Sequence, residues 1–250
     1  MMMNQLVPHQ DRNKEAKKNE WEPYIDNAGT CLGFTGEDYC VIAADTRCSN
    51  DSYQILSRHV TKITKVTDKI VLATGGMRAD YCTLHKRINY QAEMFRYKNK
   101  KEISLSGCAR LLSNILYNNR FFPIYAFCLL GGIDEIGQPV LYSYDAIGSY
   151  GKSKVGAVGS GGELVEPLLD SIILRHHRQA SVVPTISNEE LPTTRGEDGK
   201  PIIPKGIAIE YAHQALVAAS ERDIHTGDFA EIYVITKEGV ERHMRELKAD

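Results

Sequence analysis

No apolar run in this chain of 250 residues reaches the ~20 residues that a membrane-spanning helix requires, so no membrane partner is expected. A charge excess is missing too. The 30 Lys and Arg residues are balanced by 32 Asp and Glu, a formal net charge of -2, which argues against nucleic acid as the main partner. The six cysteines, Cys31, Cys40, Cys48, Cys82, Cys108 and Cys128, contain no C-x-x-C pair, and most lie in apolar runs. They read as reduced, buried thiols rather than disulfides or zinc ligands. His176-His177 is a poor metal pair, because adjacent residues diverge around a helix. Gly159-Ser160-Gly161-Gly162 lacks the following lysine of a phosphate-binding loop. No metal or cofactor is therefore expected. The first residues lack the apolar core of a signal peptide, which gives the expectation of an intracellular chain.

What is present is ordinary globular material, 42% hydrophobic and 25% charged, enough for a sizeable core. Residues 1–28 read as a polar N-terminal extension or propeptide, disordered at its centre from Asp11 to Glu20. Trp21, Pro23, Tyr24 and Ile25 supply groups that can anchor its end on a surface. Residues 29–250 read as one domain, with no internal repeat or compositional break, and with a long exposed loop at 179–205 carrying Pro184, Pro192, Pro201 and Pro204.

Strand patterns fall at Cys31 to Phe34, Tyr39 to Ala44, Lys62 to Val66, Ile70 to Thr74, Ile124 to Ile133, Pro139 to Tyr144, Lys154 to Val158, Phe229 to Ile235 and Val240 to His243. Helical spacing places Met77, Tyr81, Leu84, Ile88 and Phe95 on one face of a first helix. Ala109, Leu112, Ile115 and Leu116 mark a second helix. Two more helices are expected at Glu163 to His176 and from about Ile207 to Glu221. Strands cluster between helix pairs, which predicts an α+β fold of two antiparallel sheets packed face to face with helices outside each.

Several short pieces, in this order and spacing, resemble the proteasome β-subunit family. They are Ala44-Asp45-Thr46-Arg47, Gly75-Gly76, Arg120-Phe121-Phe122-Pro123, Leu130-Gly131-Gly132-Ile133-Asp134, Asp145-Ala146-Ile147-Gly148-Ser149-Tyr150, Glu163 to Asp170, and Glu221-Arg222-Asp223-Ile224-His225-Thr226-Gly227-Asp228. The resemblance spans Ala28 to about Glu241. It implies a four-layer αββα sandwich of the N-terminal nucleophile hydrolase type. In active members a threonine freed by self-cleavage attacks the peptide bond, helped by an aspartate and a lysine.

Register decides whether this chain does the same. In active members the nucleophile lies sixteen positions before the aspartate that Asp45 matches, and here that position is Gly29. Glycine has no hydroxyl to attack with. Thr30 is next, but successive side chains of a strand point to opposite faces, so Thr30 is expected to face away. The resemblance is therefore to the non-catalytic members, and self-cleavage before Gly29 is expected to fail, although another protease can still trim the extension.

The remaining matches give a vestigial site: Asp45, Lys62, Gly76, Ser160 and Asp223. Each has a plainer reading. Asp45 ends a strand and can bond turn amides. Lys62 fits only if the preceding loop holds one extra residue, since strict spacing lands on Thr61, and it can equally be a solvated lysine. Gly76 matches the glycine whose amide forms the oxyanion hole, and also suits a strand-to-helix turn. Ser160 with Glu163 reads as a capping box, with Ser160 at the N-cap. Thr226-Gly227-Asp228 stands where active members often carry Ser-Gly-Gly.

The resemblance implies a structural role in the 20S core particle, supporting ring assembly and ubiquitin-dependent protein degradation by active neighbours, in cytoplasm and nucleus. The implied partners are other β subunits within and across the two β rings, and α-ring subunits. The alternative is an active N-terminal-threonine peptidase using Thr30. The 179–205 loop is either a tolerated insertion or an arm gripping a neighbour.

Overall fold

The computed structural model describes residues 23–50, 54–174, 194–195 and 201–249. Residues 1–22, His176-His177 and most of the 179–205 loop lie outside the described residues.

Two five-stranded antiparallel sheets form the centre. The first contains β1 (Thr30–Thr35), β2 (Cys40–Asp45), β10 (Val155–Gly159), β13 (Phe229–Ile235) and β14 (Val240–Glu246), in the order β10-β1-β2-β13-β14. The second contains β5 (Ile63–Thr67), β6 (Ile70–Gly76), β7 (Ala126–Ile133), β8 (Pro139–Tyr144) and β9 (Tyr150–Ser153), in sequence order. Short pairs are made by β3 (Cys48–Ser49) with β4 (Ile55–Ser57), and by β11 (Thr194–Arg195) with β12 (Pro201–Ile202) inside the proline-bearing loop. Helices α1 (Arg78–Asn99) and α2 (Leu105–Asn118) cover one sheet. Helix α3 (Gly162–Leu169), followed by a π-helical turn at Asp170–Leu174, and helix α4 (Lys205–Ser220) cover the other.

Three apolar layers follow from strand alternation. Leu32, Phe34, Val41 and Ala43 point toward α3 and α4, while Cys31, Cys40, Ile42 and Ala44 point between the sheets. In the second sheet, Val71, Ala73, Leu129 and Leu141 also point inward, and Leu72, Cys128, Leu130 and Tyr142 pack under α1 and α2. Sheets buried on both faces need apolar residues at every position, which is why β1 and β2 are buried throughout. Gly131 lets the sheets meet, because a β-carbon there would lie 2.7 Å from Cys40 Sγ and from Ile42 Cδ1. The expected αββα sandwich is what the described residues form.

Some elements differ from the sequence reading. The strand expected at Lys154 to Val158 is β10, but the sequence reading missed β9, which precedes it in the other sheet, the chain crossing between sheets at Lys154. The third helix loses its α geometry after Leu169, where the hydrogen-bonding pattern widens to a π turn. Pro167 sits inside this helix, where it has no N–H to give to the Glu163 carbonyl one turn back. The cysteines are free thiols. Burial pushes Cys31, Cys40 and Cys108 up to about 12, so they stay protonated as small apolar groups. Among the described residues, no helix is long and apolar enough to cross a membrane.

Candidate functional site

The site lies where the start of β1 meets the end of β2. Gly29 takes φ +88°, a left-handed conformation that glycine adopts without strain. A β-carbon on Gly29 would point between the sheets, 2.8 Å from Asp45 Oδ1 and only 1.9 Å from Lys62 Nζ. The ammonium of Lys62 thus fills the space that a side chain at position 29 would need.

Lys62 sits just before β5 and is buried. Its Nζ donates to Asp45 Oδ1 at 2.5 Å and to the carbonyl of Arg47 at 2.7 Å. The structure thus brings Lys62 to Asp45, beside Gly29. Its neighbour Thr61 turns elsewhere and donates to Glu231 Oε2 at 2.7 Å. A loop one residue longer than the family spacing therefore carries Lys62 into place, and the solvated reading of Lys62 falls.

Asp45 is fully enclosed and accepts from four directions. Oδ1 takes the Thr30 N–H at 2.7 Å along with Lys62, and Oδ2 takes the N–H groups of Arg47 at 3.1 Å and Gly227 at 3.3 Å. Burial pushes its carboxyl above the usual carboxylate range, while the Lys62 ammonium and the amides of Thr30 and Gly227 pull in the opposite direction. A buried ion pair of this kind requires such extra bonds, because desolvation otherwise outweighs the attraction.

Thr30 faces the other way, as strand parity requires. Its hydroxyl lies 2.6 Å from Thr226 Oγ1 and accepts the Gly161 N–H at 3.0 Å. Thr226 in turn donates to Asp223 Oδ2 at 2.6 Å. With the Thr226 proton spent on Asp223, Thr30 is left to donate to Thr226. Its backbone nitrogen donates to Asp45 Oδ1, so both the nitrogen and the hydroxyl of Thr30 are engaged within the fold.

Ser160 is corrected. The helix begins at Gly162 with Gly161 at the N-cap and no side-chain cap, so Ser160 makes no capping box. Its hydroxyl instead accepts the Gly29 N–H at 3.0 Å and donates to Asp223 Oδ2 at 2.6 Å. Ser160 and Asp223 thus join Gly29, as the family pattern implied. Gly76, at φ +107°, meets the same region through its carbonyl, which accepts the Asn27 N–H at 3.3 Å.

Residues before Gly29 complete the arrangement, and the sequence reading missed how. Asn27 is buried between β3 and the start of α1. Its Nδ2 donates to the Ser49 carbonyl at 2.9 Å, and its Oδ1 accepts the Arg78 N–H at 2.7 Å. Met77 at the N-cap of α1 offers no side-chain acceptor, so Asn27 serves that helix end from fifty-one positions away. Tyr24 stacks on Phe122 with centroids 5.4 Å apart, and its hydroxyl donates to the Pro123 carbonyl at 2.7 Å. Tyr24 anchors this stretch as its type suggested, Ile25 is exposed instead, and Trp21 lies outside the described residues. Thr226 was also missed as a site residue. Its place three positions after Asp223, on one loop, was the available signal.

Among the described residues, no group of three or more His, Cys, Asp or Glu side chains is placed to hold a metal ion. What the arrangement offers is a closed Lys62–Asp45 ion pair beside Gly29.

Comparison with known proteins gives the class. Residues 25–183, more than half the chain, match the family model described as proteasome subunit, and the chain belongs to that family. Within it, this is a β-type subunit. It is 39% identical to proteasome subunit beta type-1 of Dictyostelium discoideum over 244 residues, covering 98% of this chain and 97% of that protein. It is 40% identical to the subunit of the same name from Arabidopsis thaliana over 230 residues, 92% of this chain and 97% of the relative. Proteasome subunit beta type-6 of Saccharomyces cerevisiae is 35% identical over 236 residues, 93% of each chain.

Proposed function

We propose that this chain is a non-catalytic, structural β subunit of the 20S proteasome, working by placement in the ring while neighbours cut peptides. The observation that carries this reading is the Lys62 ammonium standing where a nucleophile's β-carbon would be. Two further features support it. Gly29 has no hydroxyl, and the Thr30 hydroxyl is held by Thr226 and Gly161. Catalysis requires a nucleophile within reach of its base, and geometry is the first test of that.

In this reading the subunit completes the wall of a β ring. Its partners are β subunits of its own ring, β subunits of the facing ring and subunits of an α ring. It supports ubiquitin-dependent protein degradation without cutting, and it works in cytoplasm and nucleus, where such particles act. The test is replacement of the chain in cells by variants. Loss of the chain is expected to stop ring closure. Particles assembled with Asp45→Asn are expected to keep every peptidase activity. A covalent active-site probe attached to this chain, or loss of one peptidase activity from fully assembled Asp45→Asn particles, would overturn the reading.

A further inference from the structure

The end of α2 carries an unusual surface. Tyr117 is 53% exposed, Phe121 87% and Phe122 66%. Single exposed aromatics are ordinary, but three at one helix end form a patch of the kind that marks a binding surface. Arg120 lies at its centre, with its guanidinium carbon 4.4 Å from the ring centroids of both Tyr117 and Phe121. The two rings hold the planar group, so little freedom remains to be lost on binding.

Among the described residues, the Arg120 side chain donates from Nη1 to the Tyr117 carbonyl at 3.2 Å. A guanidinium has five N–H donors in a flat fork, and an exposed one directs the rest outward. The group that matches such a fork is a carboxylate, gripped through two parallel bonds. Aromatic rings around an arginine are also the composition enriched at the energetic centres of protein interfaces.

The segment before Gly29 belongs to the same surface. Tyr24 covers one face of Phe122, tilted by 27°, and its hydroxyl fixes the Pro123 carbonyl. Tyr24 also packs 5.6 Å from Tyr125, so the patch is built from two distant parts of the chain.

We propose that Tyr24, Tyr117, Arg120, Phe121 and Phe122 form a docking surface for a neighbouring proteasome subunit that presents a carboxylate to Arg120. The surface is complete only while residues 23–28 remain attached. This rests on the reading of the chain as a ring subunit. A chain built into a ring meets its neighbours permanently, which suits a preformed aromatic frame. The basic group inside that frame selects an acidic contact.

The experiment places tagged full-length chain in its own cells and isolates the assembled particle. A photo-crosslinking phenylalanine analogue at position 121 should capture an Asp- or Glu-bearing peptide of another subunit. Arg120→Glu should cut incorporation at least tenfold, with Arg120→Lys intermediate, because lysine keeps the charge and loses the fork. Tyr24→Ala should also lower incorporation. Crosslinks confined to this chain's own residues 1–22, or wild-type incorporation of both Arg120→Glu and Phe121→Ser, would overturn the docking surface. Failure of the wild-type chain to enter any particle would instead overturn the ring-subunit reading beneath it.

Discussion

Lys62 Nζ lies 1.9 Å from the place a β-carbon on Gly29 would occupy, so the lysine ammonium takes the space a side chain at position 29 would enter. Lys62 reaches this space from the start of β5, in the opposite sheet. Restoring a nucleophile would require moving a charge that is already bonded to Asp45 and to the Arg47 carbonyl.

The first prediction follows directly. Gly29→Thr is expected to destabilise the chain by about 1–3 kcal/mol, through overpacking against Lys62 and a positive φ that β-branched residues resist. It is expected to gain no labelling by threonine-directed covalent probes. Urea denaturation measures the first effect and mass spectrometry of probe-treated chain the second. Stoichiometric labelling would show that the slot can reopen.

A second concerns the ion pair. Lys62→Met leaves Asp45 buried without its cation and is expected to cost about 3–5 kcal/mol. Combining it with Asp45→Asn should cost clearly less than the sum of the two single changes, since the double variant leaves no uncompensated charge. A double-mutant cycle in urea checks this, and strict additivity would mean the two groups are not coupled.

The third tests the stretch before Gly29. Asn27→Ala removes the side-chain bonds to Ser49 and to the start of α1, with an expected loss of about 1–2 kcal/mol. Hydrogen exchange should rise at the Arg78 amide in particular. Unchanged protection there would mean Asn27 does not hold the helix end.

The fourth is a pH effect. His85 on α1 lies with Nε2 2.7 Å from Thr74 Oγ1, and burial lowers its pKa from 6.5 to about 4. The folded state thus favours the neutral ring. The stability this contributes is complete above the unfolded value of 6.5, and it is lost as pH falls from there through about 4. The difference amounts to ~3 kcal/mol. Denaturation from pH 7 to 4 should show the fall in the natural chain and a shallower one in His85→Gln. Equal slopes would remove His85 as its source.

Much of the fold was legible in the sequence because its layers are periodic. Continuous, fully buried runs in β1, β2 and β6, and the stripe of Ala109, Leu112, Ile115 and Leu116 in α2, reflect burial that local pattern records. The step from β9 to β10 was not legible, since a change of sheet leaves no mark on a run of extended residues. Ser160 misled for a related reason. Ser160-Gly161-Gly162-Glu163 has the spacing of a cap, but Asp223 and the Gly29 amide compete for the same hydroxyl from 63 and 131 positions away.

The amino-acid order by itself determined that position 29 carries no hydroxyl and that Thr30 must point to the opposite face, because strand geometry alternates whatever surrounds it. Tertiary structure alone decided that Lys62 would reach Asp45 and occupy the empty place, and that Asn27 would bridge β3 and α1. Alternation is a property of neighbouring residues. An ion pair or a helix cap made across the fold depends on how far the sheets approach and how long the loop before β5 is, and neither is written in local sequence.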